Sequence, residues 1–120
     1  MEFMLLLNAD EKIWTTMPEA ESQRTYLAYM AYTQALHDAG VFVAGSQLAP
    51  STTATTVTVS PEGKTNVLDG PYAETKEQLG GYYLIDVADL DAAISWAARC
   101  PGASHGTVEV RPLAGVPAQA

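Results

Sequence analysis

The chain has 120 residues, which is enough for one domain with a sizeable buried core, and its 48% hydrophobic content excludes a disordered protein. Fourteen acidic residues against six basic ones give a formal net charge of −8. This charge disfavours direct binding to nucleic acid or to an anionic membrane surface.

The single cysteine, Cys100, excludes an intrachain disulfide and is consistent with a reducing cytoplasm. Residues 1–7 are apolar but too few to span a membrane, and they lack the basic start of a signal peptide. We therefore expect a cytoplasmic protein with no membrane association. One domain is predicted over residues 1–113, and the Ala-, Pro- and Gly-rich residues 114–120 are predicted to form a flexible tail.

The first elements are predicted to be a strand and a long helix. Residues 3–8 are apolar on both alternating faces, as in a central strand. A polar connection containing Trp14 follows. The helix is expected to start with a capping box made by Thr16 and Glu19, and to run to about Ala39, where Gly40 ends it. Four of its residues lie along one line: Tyr26, Met30, Thr33 and His37.

A second strand is predicted over residues 41–48, followed by a β-hairpin. Residues 53–60 alternate and are rich in threonine and valine, and residues 65–68 can pair back on them. The residues between them, Pro61 to Lys64, form a turn signal. The polar character of this hairpin predicts a peripheral position.

The C-terminal part is predicted to form a strand, a short helix and a last strand. Residues 81–87 form the strand, Asp89 caps the helix over residues 90–99, and residues 107–112 form the last strand. The buried face of this helix is expected to carry Leu90, Ala93, Ile94 and Ala97. Cys100-Pro101-Gly102 stops the helix.

The order β-α-β-(hairpin)-β-α-β predicts an α+β, ferredoxin-like βαββαβ fold with an inserted β-hairpin. Both helices then cover one face of an antiparallel sheet, and the other face stays open. On the last strand, Glu109 and Arg111 are expected on the open face. An open face with apolar and charged groups predicts a partner or a ligand. Two such faces packed together would enclose a cavity.

Residues 69–77, Asp-Gly-Pro-Tyr-Ala-Glu-Thr-Lys-Glu, resemble the signature of the DGPF (DGPFAETKE) family, within the YCII-related superfamily. Tyrosine replaces phenylalanine at Tyr72. The similarity extends to residues 80–83, 94–98 and 108–112, and it covers nearly the whole chain. It implies a homodimer in which ferredoxin-like subunits form a dimeric α/β barrel.

The resemblance implies little about a reaction. YCII-type relatives have been proposed as enzymes that use a His–Asp pair, but residues 27–29 hold no histidine here, and Cys100 stands where their aspartate precedes a proline. Relatives also occur beside, or fused to, extracytoplasmic-function sigma factors. Three alternatives therefore stay open: a small-molecule-binding homodimer with or without enzymatic activity, a regulatory module that contacts a sigma factor, and a fold with no ligand.

The loop at residues 69–77 is predicted to rim a cavity on the open face. Its turn would present Asp69 and Tyr72, unless it is only a rigid turn. Glu74 and Lys76 could clamp a polar ligand or handle protons, although such charges are often only solvated. Together with the strand residues, the predicted ligand-binding set is Asp69, Tyr72, Glu74, Lys76, Tyr82, Glu109 and Arg111. The candidates for catalysis within it are Asp69, Glu74, Glu109 and Arg111.

No cofactor and no metal ion are predicted. Gly80-Gly81 lacks the strand-to-helix context of a phosphate loop. The two histidines are far apart in sequence: His37 is interpreted as a structural residue and His105 as an exposed loop residue.

Cys100 follows a helix C-terminus, which is expected to raise its pKa. Trp14 and Trp96 are interpreted as core or interface anchors, while Glu109 and Arg111 could equally form an ion pair.

Overall fold

The computed structural model describes residues 1–115, which form six strands and four helices. The strands are β1 (Glu2–Ala9), β2 (Phe42–Gln47), β3 (Thr55–Val59), β4 (Thr65–Asp69), β5 (Gln78–Asp86) and β6 (Thr107–Pro112). The helices are α1 (Lys12–Thr16), α2 (Glu19–Asp38), α3 (Leu90–Arg99) and α4 (Gly102–His105). A 3-10 turn lies at Ser51–Thr53. Part of the predicted tail, residues 116–120, lies outside the described residues.

The main sheet has the strand order β2-β5-β1-β6, and all its strand pairs are antiparallel. This is the order expected for a split β-α-β arrangement, in which α2 and α3 each connect two strands that flank a third. The chain is therefore a mixed α+β protein with antiparallel sheets. Within residues 1–115 the sheet is open and closes into no barrel. The predicted dimeric barrel requires a second copy of the chain.

The core lies between the helices and one face of the main sheet. Its fully buried side chains include Phe3 and Leu5 from β1, Ile85 from β5 and Leu36 from α2. Because cross-strand partners point to the same face, the odd-numbered residues of β1 face the helices and the even-numbered ones face away. Complete burial of an aliphatic side chain such as Leu36 stabilises the fold by about 1.5–3 kcal/mol.

Helix α3 contacts the sheet through small side chains. Ala93 and Ala97 are buried, whereas Leu90 and Ile94 are each 49% exposed. The prediction that Leu90 and Ile94 belong to the buried face is therefore wrong. The rotation of α3 turns Ala93 and Ala97, together with the partly buried Trp96, toward the core and turns Leu90 and Ile94 outward.

The predicted capping box at the start of α2 is also wrong. The Thr16 hydroxyl donates to the Lys12 carbonyl oxygen at 2.9 Å, because residues 12–16 form the separate helix α1. Pro18 precedes α2 and supplies no side-chain cap. At the other end the prediction is confirmed: Gly40 has a φ of 71°, which glycine adopts readily, and a Schellman-type pair of hydrogen bonds closes the helix.

Strand β5 begins at Gln78, three residues before its predicted start. Leu7 pairs with Gly81 and Asn8 pairs with Leu79, which leaves Gly80 as the extra residue of a β-bulge. Gly81 is buried, and a Cβ atom on it would lie 2.9 Å from the Ser46 carbonyl oxygen. A glycine is therefore required at position 81 by the neighbouring strand, whereas position 80 has room.

The predicted hairpin is confirmed as β3 and β4, which form a separate two-stranded sheet. Every residue of β4 is exposed, and so are Val57 and Val59 on β3. The described residues accordingly have a flat shape, with extents of 49 × 46 × 18 Å. The hairpin buries little apolar surface within the chain.

We expect Gly81→Ala to lower the free energy of unfolding by about 1–3 kcal/mol, because the added methyl group presses against the backbone of β2. Gly80→Ala is the matched control, since its Cβ would meet only the Leu7 carbonyl oxygen at 3.9 Å. Urea unfolding of both variants measures the difference. Equal stability of the two variants would contradict this account of the strand pairing.

Candidate functional site

A cavity of about 780 Å³ lies between α2 and the helix-covered face of the sheet. Gly45 and Gly81 form part of its floor, and both belong to that face because their partners Tyr83 and Leu7 do. A Cβ atom on Gly45 would lie 2.9 Å from the Tyr83 ring, so this ring packs over Gly45 and forms part of the same floor. Gly81 adds no side chain of its own to the cavity.

The roof of the cavity is a stripe along α2. Its members recur every three or four residues, as the same face of a helix requires: Ser22, Thr25, Tyr26, Tyr29, Met30, Thr33, Gln34 and His37. From the first to the last is fifteen residues, so the cavity is an elongated groove of about 22 Å. At its far end the His37 ring stacks on Phe42, with 4.1 Å between ring centroids.

The other end of the cavity is held together by Glu11 and Gln78. The Glu11 carboxylate accepts hydrogen bonds from the Ser51 amide at 2.7 Å and from the Ser51 hydroxyl at 2.9 Å. The Gln78 side chain accepts from the Glu11 amide at 2.9 Å and donates to the Thr75 carbonyl oxygen. Three loops are thus joined at this end, and Trp14 lies one helical turn after Glu11 at the same cavity rim.

Tyrosine hydroxyls lie between the cavity and the core. The Tyr83 hydroxyl is 2.7 Å from the Thr33 hydroxyl, and the Tyr32 hydroxyl donates to the Trp96 carbonyl oxygen at 2.7 Å. Burial raises the pKa of Tyr29, Tyr32 and Tyr83 above the ordinary value. These phenols are therefore neutral hydrogen-bonding groups at physiological pH, not bases.

Cys100 lies close to these tyrosines and is buried. Burial is the main cause that raises the pKa of its thiol, against the opposing effect of hydrogen bonds from the Gly102 and Ala103 amides. The direction agrees with the prediction, although the helix terminus is not its main cause. An inaccessible, protonated thiol is a poor nucleophile.

The loop at residues 70–77 is exposed except for its two ends. Tyr72 is 89% exposed, and Asp69, Glu74 and Lys76 are exposed as well. A smaller pocket of about 380 Å³ lies between this loop and residues 48–54, and it is lined from the loop by Pro71, Ala73 and Thr75. The four predicted ligand-binding residues of the loop contribute no lining to either cavity.

Glu109 and Arg111 lie on the open face of the sheet, as the alternation of β6 requires. The Arg111 guanidinium donates two hydrogen bonds to the Glu109 carboxylate, one of them at 3.1 Å. Cross-strand pairing places Glu109 in a row with Leu6 and Tyr82, and Arg111 in a row with Met4 and Leu84. The structure thus brings Tyr82, Glu109 and Arg111 to one face but does not bring the loop residues into contact with them.

Of the seven predicted ligand-binding residues, Tyr82 alone borders the 780 Å³ cavity, and its side chain belongs to the opposite face by strand alternation. The sequence analysis missed Glu11 and Gln78 and did not assign the line of Tyr26, Met30 and His37 to a cavity. That line was visible in the sequence. The floor of the cavity contains a pair of glycines on adjacent strands, Gly45 and Gly81. The sequence indicates that they lie near each other only once the pairing of β2 with β5 is known.

The two histidines occupy separate places. His37 lines the cavity, whereas His105 lies in α4, partly buried and not in an exposed loop as predicted. The His105 ring packs against Trp14 at 5.6 Å between centroids, and its Nδ1 is 3.2 Å from the Pro101 carbonyl oxygen.

Among residues 1–115, no group of three His, Cys, Asp or Glu side chains is placed to hold a metal ion. None of the described helices is both long and apolar enough to cross a bilayer.

These features define an α+β protein with an open antiparallel sheet and a cavity beneath its long helix. A family model for the YCII-related domain matches residues 1–116. A protein of Rhizobium meliloti (strain 1021) named Uncharacterized protein R00369 is 40% identical over 116 residues, which are 95% of this chain and 93% of that protein. The chain belongs to the YCII-related family.

Raising the pH above the ordinary tyrosine pKa of about 10 is expected to lower the free energy of unfolding. The unfolded chain releases phenol protons that the folded protein keeps at Tyr29, Tyr32 and Tyr83, so the contribution is present below that pH and is lost above it. Urea unfolding across a pH series measures the decline. Tyr32→Phe should make the decline shallower than in the wild-type protein, and equal slopes for the two proteins would contradict the assignment.

Proposed function

We propose that this YCII-related chain is a small-molecule-binding homodimer of the DGPF type, with the cavity under α2 as its binding site and the open sheet face as its dimer interface. The observation that carries the binding function is the cavity itself. Its volume lies in the range of ligand sites, and it combines an apolar and aromatic lining with a few convergent polar groups.

The geometry favours binding over acid–base catalysis. The cavity is lined by one carboxylate, Glu11, and one imidazole, His37, and these lie at opposite ends of a groove about 22 Å long. The Glu11 carboxylate is already engaged with Ser51. A proton donor and acceptor acting on one substrate atom would both have to lie within hydrogen-bonding distance of it.

The open face supports a homodimer. Two cross-strand rows place Met4, Leu6 and Leu84 side by side in the middle of this face, with the Glu109–Arg111 pair at the β6 edge. A contiguous apolar sheet face without a helix over it is characteristic of an interaction surface. Packing of two such faces would form the dimeric α/β barrel, and the polar residues around them could line a second cavity for a small polar molecule.

A regulatory module that contacts a sigma factor is the second candidate. The hairpin favours it, because β3 and β4 expose Val57, Val59, Val67 and Leu68 on a segment that projects from the main sheet. Exposed apolar side chains on such a segment suit a protein partner. The sigma factor itself comes only from the resemblance of residues 69–77 to the DGPF signature.

Met30→Trp is expected to abolish binding of the neutral probe phenylpropanol, because the larger side chain fills the groove beneath α2. Leu27→Trp is the matched control: it places the same ring on the same helix, at an exposed residue outside the cavity. Isothermal titration calorimetry measures binding to each protein, and circular dichroism verifies the fold. Failure of the wild-type protein to bind, or equal binding by both variants, would contradict the proposed site.

Leu6→Glu is expected to convert the dimer into a monomer, since it places a charge at the centre of the open face. Ile94→Glu introduces the same charge at an exposed position on α3 and should leave the dimer intact. Light scattering gives the mass of each protein. A monomeric wild-type protein would contradict the homodimer. In a second measurement the protein is mixed with a purified extracytoplasmic-function sigma factor, and a shift to the mass of a one-to-one complex would favour the second candidate.

A further inference from the structure

The formal charge carried by the residues that line the groove is negative. Among residues 1–115, Glu11 is the one formally charged residue that lines the groove, and no lysine or arginine lines it. The six basic residues of the chain lie outside this lining: Lys12, Arg24, Lys64, Lys76, Arg99 and Arg111. A carboxylate or phosphate entering the groove would therefore meet an anion and no positive side chain.

Two of the basic residues are engaged with groups outside the groove. Arg111 is bonded to Glu109 on the opposite face, and the Arg99 guanidinium lies over the Trp96 ring at 4.2 Å from its centroid. Lys64 lies in the hairpin turn between β3 and β4, and Lys76 lies in the loop at residues 70–77. The protein as a whole carries a formal charge of −8, which attracts cations toward its surface and repels anions.

The end of the groove near Glu11 also has groups that attract a cation. The Glu11 carboxylate has about four acceptor positions, of which two are used by Ser51, and Trp14 lies one helical turn later at the same rim. Tyr26 and Tyr29 extend the aromatic lining along α2, and Phe42 and Tyr83 extend it along the sheet. Aromatic faces attract ammonium groups, with indole the strongest among them.

We propose that the ligand of this groove is an amine: a small molecule with an apolar or aromatic body and one ammonium group, which lies between the Glu11 carboxylate and the Trp14 ring. The body of the ligand lies along Gly81 and the Tyr83 ring, against Met30 and Tyr29. This inference rests on the proposed small-molecule site under α2 and specifies the chemical class that the site selects.

The test compares three probes of one size that differ only in charge: phenylpropylamine, phenylpropanol and phenylpropanoate. Calorimetry at neutral pH is expected to rank them amine, alcohol, acid, with the amine at least about tenfold tighter than the acid. If the acid binds as tightly as the amine, the charge selection is overturned while the site under α2 stands. If no probe binds, the proposed site falls together with this inference.

Glu11→Gln is expected to reduce the preference of the groove for the amine over the alcohol to roughly unity, while binding of the alcohol is retained. Glutamine keeps an acceptor for the Ser51 amide, so the local turn is preserved. Glu19→Gln, which removes an exposed charge outside the groove, should keep the wild-type preference. An unchanged preference in Glu11→Gln would overturn the role of Glu11, and the wild-type ranking decides the charge selection even if this variant unfolds.

Discussion

Helix α2 is anchored to the sheet mainly by its C-terminal half, and the remaining features of the molecule follow from this. Leu36 and Tyr32 lie in the same buried core cluster as Phe3, Leu5 and Ile85. On β2 and in the N-terminal half of β5, the same face of the sheet has Gly45 and Gly81 instead of large side chains. One continuous helix is therefore both the cover of the core and the roof of the groove.

Residues 69–77, the most distinctive stretch of the chain, act through their backbone more than through their charged side chains. Gly70 donates to the Ala54 carbonyl oxygen at 2.7 Å and accepts from the Thr56 hydroxyl at 2.7 Å, which ties the loop to the base of the hairpin. At the other end of the loop, Gln78 connects it to the turn that carries Glu11. The loop thereby sets the position of the groove's rim without lining the groove.

Periodic segments of the chain were predictable, and the relations between segments were not. The apolar run of β1, the turn residues of the hairpin and the glycine after α2 each carry a local physical signal, and the structure confirms them. Helix α1 has only five residues and no apolar stripe long enough to be recognised. The rotation of α3 and the groove above Gly81 depend on which surfaces meet, and one-dimensional spacing does not contain that information. The site was therefore expected on the open face, where the alternation of β6 places Glu109 and Arg111.

The central position of β1 has a consequence for how the chain folds. Strand β1 leaves the ribosome before both of its neighbours: it pairs with β5 on one side and with β6 on the other, and β6 ends only at Pro112. The sheet cannot be completed until residue 112 has been synthesised, and most of its pairings join residues that are distant in sequence. Such high contact order slows folding. Between the synthesis of β1 and that of β6, the apolar β1 segment lacks its neighbouring strands, and unpaired strands of this kind are prone to aggregation.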